Sequence, residues 1–391
     1  HVIIIFINSK NCFISMLSGL SAFIIVVSSG IRIVSAGHKA YVSEKANETT
    51  KKMNKLVILS FKIVFMKFSL NSISKPFNFT LTPMDKHTPF TIALYLLLVC
   101  SVFGNSFSFY ILHTNNTNGK LENCYCPDRP LGSLEKRAVF VQSFLKEHPN
   151  TIVVDTGDFF SPVHKPLKDS LVTEAYSFIP YDAILPGDQE LTRGQESMDG
   201  ILRRIGADLV VSNVQSPLIQ GSMTLKIVER GGLKIGILGI LGNRSFKYYP
   251  KEISNAITLH DPVTAVKNIL KKIREKVDVV LVLSHQGFDQ DVSLARQLKE
   301  IDIIIGAHSQ TVVHDPKEEN GVLITQAGKD GHYVGVIKIQ MEKHKKIVSK
   351  TGYLEEMTLG MTDHPKIMEL IQEYEEKSGF VNRAKLKHKE K

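Results

Sequence analysis

Cysteine is scarce in this chain: Cys12, Cys100, Cys124 and Cys126 are the only four in 391 residues, too few for a disulfide framework. Repeats are absent as well, so the length and the 43% apolar content allow one large domain or two modest ones. The glycines at 236, 239 and 242 do not make the dinucleotide-binding fingerprint, and no phosphate-binding P-loop occurs. A formal charge of +9 looks basic, but much of the excess sits in the N-terminal region and in the tail Arg383–Lys391. Neither place interleaves aromatic and basic residues as a nucleic-acid platform does, so no nucleic-acid partner is expected.

Residues 1–83 do not read like a folded domain. They are rich in Ile, Lys, Phe, Ser and Asn, and they begin with His1 rather than Met. Their two apolar runs, Cys12 to Ala36 and Leu56 to Leu70, lack clear anchors; the first has the length of a membrane span but is broken by Ser and Gly. The expectation is a non-native or disordered upstream extension, with the natural start at Met84. From there a short polar stretch leads into an apolar run, Thr91 to Phe103, with small residues at Gly104, Ser106 and Ser108. That is the layout of a secretory signal peptide, expected over 84–108, with membrane anchoring through 90–104 as the alternative. The protein is therefore expected to be exported, periplasmic or extracellular.

From Phe109 onward β and α patterns alternate. Strands are predicted at Phe109 to Thr114, Thr151 to Asp155, Tyr181 to Leu185, Asp208 to Asn213, Val277 to His285 and Ile301 to His308. Leu225 to Arg230 and Leu233 to Ile240 read as a hairpin around Gly231 and Gly232. Val322 to Thr325 and Val334 to Met341 are predicted as later strands of antiparallel style. Helices are predicted at Ser133 to His148, Asp261 to Lys276 and from about Pro365. The fold class is α/β with a mixed sheet.

The stretch around which the rest is organised is Thr151–Phe160, a buried-strand pattern closed by Asp155-Thr-Gly-Asp158. Open α/β sheets place ligands beyond the carboxyl ends of their strands, and Gly157 allows a turn that aims Asp158 into such a cleft. A plain turn with a solvated Asp would have the same local sequence. Three further apolar segments finish at Asp188, His285 and His308. A lone His is ordinarily a structural residue, but two carboxylates and two imidazoles at such ends suit zinc, manganese or iron.

Five segments in order carry a resemblance: Ile111–Gly119, Asp155–Asp158, Gly187–Glu190, Ser284–Gly287 and Gly306–Gln310. Together they resemble the motif set of calcineurin-like metallophosphoesterases, and within these the catalytic domain of the 5′-nucleotidase/UDP-sugar hydrolase family. The resemblance covers about residues 109–380. It implies a metallophosphoesterase domain over 109–363, followed by a C-terminal helix and basic tail over 364–391. The implied architecture is a four-layer sandwich of two mixed β-sheets flanked by helices. It implies a metal site of Asp158, Asp188, His285 and His308, with Asp188 standing where the family has Asn. A first site, shared through Asp158, would fall on Asn116, Asn118 and Gln310. Carboxamides there supply neither carboxylate charge nor imidazole donor strength, so one divalent ion is expected. The family's leaving-group His falls at Gln189 and its acidic partner at Thr192. A Gln cannot transfer a proton at neutral pH.

The expected function is hydrolysis of a phosphoester on a small phosphorylated substrate, with Asp158 central, Asn116 and Asn213 hydrogen-bonding the substrate, and Gln189 at the leaving-group position. The family's second, nucleotide-binding domain would begin where this chain stops, so no nucleotide specificity carries over. Cys124 and Cys126 leave several possibilities open. Their thiolates could rebuild the first site beside Asn116, Asn118 and Gln310, form a short-loop disulfide, act as a redox or sulfur-carrying thiol, or be two surface-loop cysteines with no role. The alternative function is accordingly a non-hydrolytic metal- or sulfur-handling protein on the same fold.

Overall fold

The computed structural model describes residues 107–194, 200, 204–219, 221–342, 345–380 and 382–389, together with four strand segments within residues 2–34. The chain divides into two compact units, His1–Asn105 and Ser106–Lys391. In the first unit Val2–Ile7 pairs antiparallel with Cys12–Leu17 and parallel with Phe23–Val27, and Phe23–Val27 pairs antiparallel with Gly30–Val34. The signal segment expected over 84–108, including the anchor at 90–104 and Cys100, lies outside the described residues except for Phe107 and Ser108. Among the described residues no helix is long and apolar enough to cross a membrane.

The second unit holds two six-stranded mixed sheets. One runs, edge to edge, Ile347–Glu356, Tyr333–Met341, Phe107–Thr114, Thr151–Asp155, Ala183–Ile184 and Asp208–Leu209. Its first two pairings are antiparallel and the last three parallel. The other runs Lys226–Arg230, Leu233–Leu241, Val279–His285, Ile303–Gly306, Val322–Thr325 and Lys317–Glu319. Here Val322–Thr325 pairs parallel with Ile303–Gly306 and antiparallel with Lys317–Glu319, so its antiparallel reading from sequence holds for one neighbour only.

Side-chain alternation builds the layers. Leu281, Leu283, Ile303 and Ile305 face the core shared with the first sheet, whereas Val280, Val282 and Ile304 face Val266, Leu270 and Ile273 of the helix Pro262–Ile273. Strands buried on both faces need continuous apolar runs, which is how these read. Asp261 caps that helix by accepting from Thr264 N–H at 2.8 Å, Pro262 occupies its first turn, and Lys271 and Lys272 sit in its last. Leu134, Ala138 and Val141 of Leu134–Glu147 cover the outer side of the first sheet, with Ile367, Leu370 and Ile371 of Pro365–Ser378 in the same core. The hairpin turns on Gly231 and Gly232, both at positive φ (59° and 78°), the geometry that matches the twist of two strands joined by a two-residue loop.

Candidate metal centre

The carboxyl ends of the parallel strands meet at one place. His285 is the last residue of Val279–His285 and keeps the inward register of Leu281 and Leu283. The other three residues lie just beyond strand ends rather than on them. Asp158 follows Thr151–Asp155 across the Gly157 turn, Asp188 opens the short helix Asp188–Leu191, and His308 follows Ile303–Gly306. One ligand atom from each of Asp158, Asp188, His285 and His308 lies within 4.8 Å of every other.

Hydrogen bonding orients the ring of His285. Its Nδ1 lies 2.7 Å from the Thr156 carbonyl, which can only accept, so Nδ1 carries a proton and Nε2 faces the carboxylates. Nε2 is 3.1 Å from Asp188 Oδ1 and 3.3 Å from Asp158 Oδ2. A neutral imidazole would set its lone pair against theirs, so a proton or a metal cation has to stand between them. Burial acts to lower the His285 pKa, but the carboxylates of Asp158 and Asp188 outweigh it and hold the pKa well above the usual histidine value. His308 Nδ1 reaches the same Asp188 oxygen at 3.1 Å. Burial pushes Asp188 upward, while hydrogen bonds from His285, His308 and Tyr249 prevail and hold it well below the carboxylate range.

The donor set fits a divalent ion. Two carboxylates supply charge and two imidazoles supply nitrogen donors. Donors about 2.0–2.2 Å from an ion stand at most about 4.4 Å apart. The four residues therefore need to draw together only slightly.

The backbone here is held in an unusual state. Asn116, Asn118, Asp158, His308 and Gln310 all have φ between 45° and 71°, the left-handed region that side-chain-bearing residues seldom occupy. Such clusters accompany functional sites when the surroundings enforce them. Asp158 N–H donates to Glu190 Oε2 at 2.8 Å, and its carbonyl accepts from Asn118 N–H at 2.9 Å. Glu190, fully buried, also accepts from Gly187 and Phe160 N–H. Burial, then the nearby Asp158 charge, raises its pKa to about 8. Gly187 is required by space: a Cβ there would sit 2.5 Å from Asp158 Oδ1 and 2.7 Å from His285 Cε1.

The carboxamides lie beside this cluster. Asn116 Nδ2 donates to Asp158 Oδ2 at 2.9 Å, and Asn116 Oδ1 accepts from His308 N–H at 3.1 Å. Gln189 N–H donates to Asp158 Oδ1 at 3.2 Å, and its Nε2 donates to Asn118 Oδ1 at 3.1 Å. Asn118 Nδ2 in turn donates to Asp330 Oδ1 at 2.9 Å. Gln310 is partly exposed on the turn that carries His308. Asn213 is placed differently. Its Nδ2 donates to the carbonyls of Leu241 and His260 and its Oδ1 accepts from Leu241 N–H, so its amide clamps backbone.

Cys124 and Cys126 are bonded to each other, with Cα atoms 5.2 Å apart, and neither belongs to the candidate metal-ligating cluster. Their loop is framed by Asn123, whose Nδ2 donates to the Pro130 and Gly132 carbonyls and whose Oδ1 accepts from Tyr125 N–H.

Tyr249, Glu190, Asp330 and Thr156 join the site without having been singled out in the sequence. Glu190 had a local signal, since it stands three residues after Gly187 and caps that helix start. Tyr249 had none: its hydroxyl donates to Asp188 Oδ2 at 2.7 Å across 61 residues of sequence.

No protein-family profile matches the chain. It is 28% identical over 340 residues to an apyrase of Tabanus yao, covering 75% of this chain and 60% of that protein. It is 26% identical over 305 residues to the 5′-nucleotidase of Rattus norvegicus, covering 67% and 51%. The chain thus spans about half to three-fifths of the length of these relatives. In fold it is similar to a 5′-nucleotidase precursor from Thermus thermophilus, with TM-score 0.62, 21% identity, and 70% of this chain and 59% of that one covered. A calcineurin-like phosphoesterase from Bacillus subtilis aligns with TM-score 0.57 and 21% identity, over 70% of this chain and 98% of that one.

Proposed function

We propose that this chain, related in sequence and fold to the 5′-nucleotidase-like metallophosphoesterases, is a one-metal hydrolase of small phosphorylated substrates. The observation that carries the reading is the convergence of Asp158, Asp188, His285 and His308, with ligand atoms within 4.8 Å of one another, at the carboxyl ends of strands from both sheets. An ion bound there supplies Lewis acidity toward a phosphoryl oxygen and toward water. The remaining chemistry belongs to the protein. The Thr156 carbonyl keeps His285 Nε2 turned into the site. Asn116 occupies an outer position on Asp158 Oδ2 with its N–H group, which favours one ion over two. Gln189 offers an amide where a proton donor would speed departure of the leaving oxygen, so turnover is expected to be slower by about 10²- to 10⁴-fold than with a general acid. An exported setting is part of the proposal and rests on the signal-like segment at 84–108.

The test is elemental analysis of the purified protein together with release of phosphate from nucleoside monophosphates and p-nitrophenyl phosphate. One zinc, manganese or iron ion per chain is expected, with hydrolysis that chelator removes and metal restores. His285→Ala should lose both the ion and the turnover. A wild-type protein that retains its ion yet releases no phosphate would overturn the hydrolase reading.

A further inference from the structure

The two oxygens of Asp188 have divided tasks. Oδ1 faces both imidazoles, at 3.1 Å from His285 Nε2 and 3.1 Å from His308 Nδ1. Oδ2 accepts from the phenol of Tyr249 at 2.7 Å. A phenol on Oδ2 competes with an ion for that oxygen and leaves Oδ1 the better placed of the two, turned toward the imidazoles. Tyr249 is also not free to swing. The loop that carries it is tied to the last residue of the metal-bearing strand, because Gly242 N–H and Ser245 Oγ both donate to the His285 carbonyl, at 3.0 and 2.9 Å. Buried Phe246 anchors the loop, and its ring lies 6.0 Å from that of Tyr249.

One segment, residues 242–249, therefore holds His285 through its main chain and Asp188 through a side chain. These two ligands come from different sheets, His285 from the second and Asp188 from the end of the first. We infer that Tyr249 is the positioning residue of this centre: it fixes Asp188 as a one-oxygen ligand and sets its separation from His285. The inference rests on the metal-centre reading above. It also gives a physical role to the carboxylate at position 188. A charged ligand next to Asp158 adds repulsion within the site, and a phenolic donor on its far oxygen offsets part of that charge. Partners that orient a ligand in this way typically contribute 10- to 100-fold in metal affinity.

The experiment compares full-length wild type with Tyr249→Phe, which keeps the ring and removes only the hydroxyl. Zinc and manganese affinities are measured by chelator competition, and thermal unfolding is followed on the metal-free proteins. The expected result is a 10- to 100-fold loss of affinity with the metal-free unfolding temperature little changed. Combined with Asp188→Ala, the substitution should cost nothing further, since the acceptor is gone. Unaltered affinity in Tyr249→Phe overturns the inference, and so does an equal loss in the Asp188→Ala background. A wild type that binds no divalent ion overturns the metal-centre reading and this inference together, whereas a wild type that binds while Tyr249→Phe binds equally well overturns this inference alone.

Discussion

Asp158 stands between two neighbourhoods of opposite character. On one side its Oδ2 faces His285, with Asp188 and His308 beyond; on the other the same oxygen accepts from Asn116. The first neighbourhood collects two carboxylates whose charge nothing within the protein fully neutralises. The second is a chain of amides: Gln189 donates to Asn118, and Asn118 donates to Asp330. Because Asp330 can only accept, it dictates which end of each amide points where, and Gln189 Oε1 is left buried without a partner among the described residues. A few side chains of similar size thus separate a candidate cation-binding place from a row of neutral amides. The difference is one of charge and donor type rather than of shape.

Restoring charge on the amide side should have the largest effect. Asn116→Asp combined with Asn118→His, Gln310→His and Gln189→His is expected to raise the bound metal from one to two ions and turnover by about 10²- to 10⁴-fold. Metal stoichiometry and kcat measured on the same preparation check this. An unchanged ion count would show that the amides are not what keeps the second position closed. Intruding on the charged side should have the opposite result. Gly187→Ala places a methyl against Asp158 and His285, and overpacking of this kind costs about 1–3 kcal/mol. The loss should appear as weaker metal retention in chelator competition; wild-type retention would mean the site yields to the methyl.

The smallest predicted effect lies behind the site, at His113. It is fully buried, neither ring nitrogen has a hydrogen-bond partner, and burial lowers its pKa to about 3. The folded value lies below the unfolded one of about 6.5, so the unfolded chain takes up the proton first. The stability it supports is complete above pH 6.5 and falls away as pH drops toward 3, by roughly 1 kcal/mol over the first unit below pH 6. Denaturant titrations of wild type and His113→Leu at pH 7 and 5 test this. Equal pH dependence in the two would remove His113 as its source.

The fold was legible to the extent that burial leaves a one-dimensional trace. Val279–His285 and Thr151–Asp155 are uninterrupted apolar strands because both faces are covered, and Asp261-Pro262 announces its helix through capping chemistry. The edge strand Ile347–Glu356 was not legible, since exposed Thr351 and Tyr353 lie on one face and the other face is only half-buried, which gives a weak pattern. The convergence of Asp158, Asp188, His285 and His308 could be read because His285 closes a strand and the other three lie just beyond strand ends, where α/β sheets concentrate chemistry. Asn213 shows the limit of that reasoning: it too follows a strand, yet the carbonyls of Leu241 and His260 take its amide hydrogens.

The amino-acid sequence by itself determined the α/β alternation, the candidate ligands and the neutral amides at 116, 118 and 189, because residue type and local period carry those properties. Only the tertiary structure decided which oxygen of Asp188 faces the imidazoles, that Tyr249 holds the other, that Asp330 orients the amide chain, and that Cys124 and Cys126 are joined to each other. Hydrogen bonds depend on distance and direction to within a few tenths of an ångström, and contacts across 61 or 212 residues are set by how two sheets pack, which no local pattern encodes.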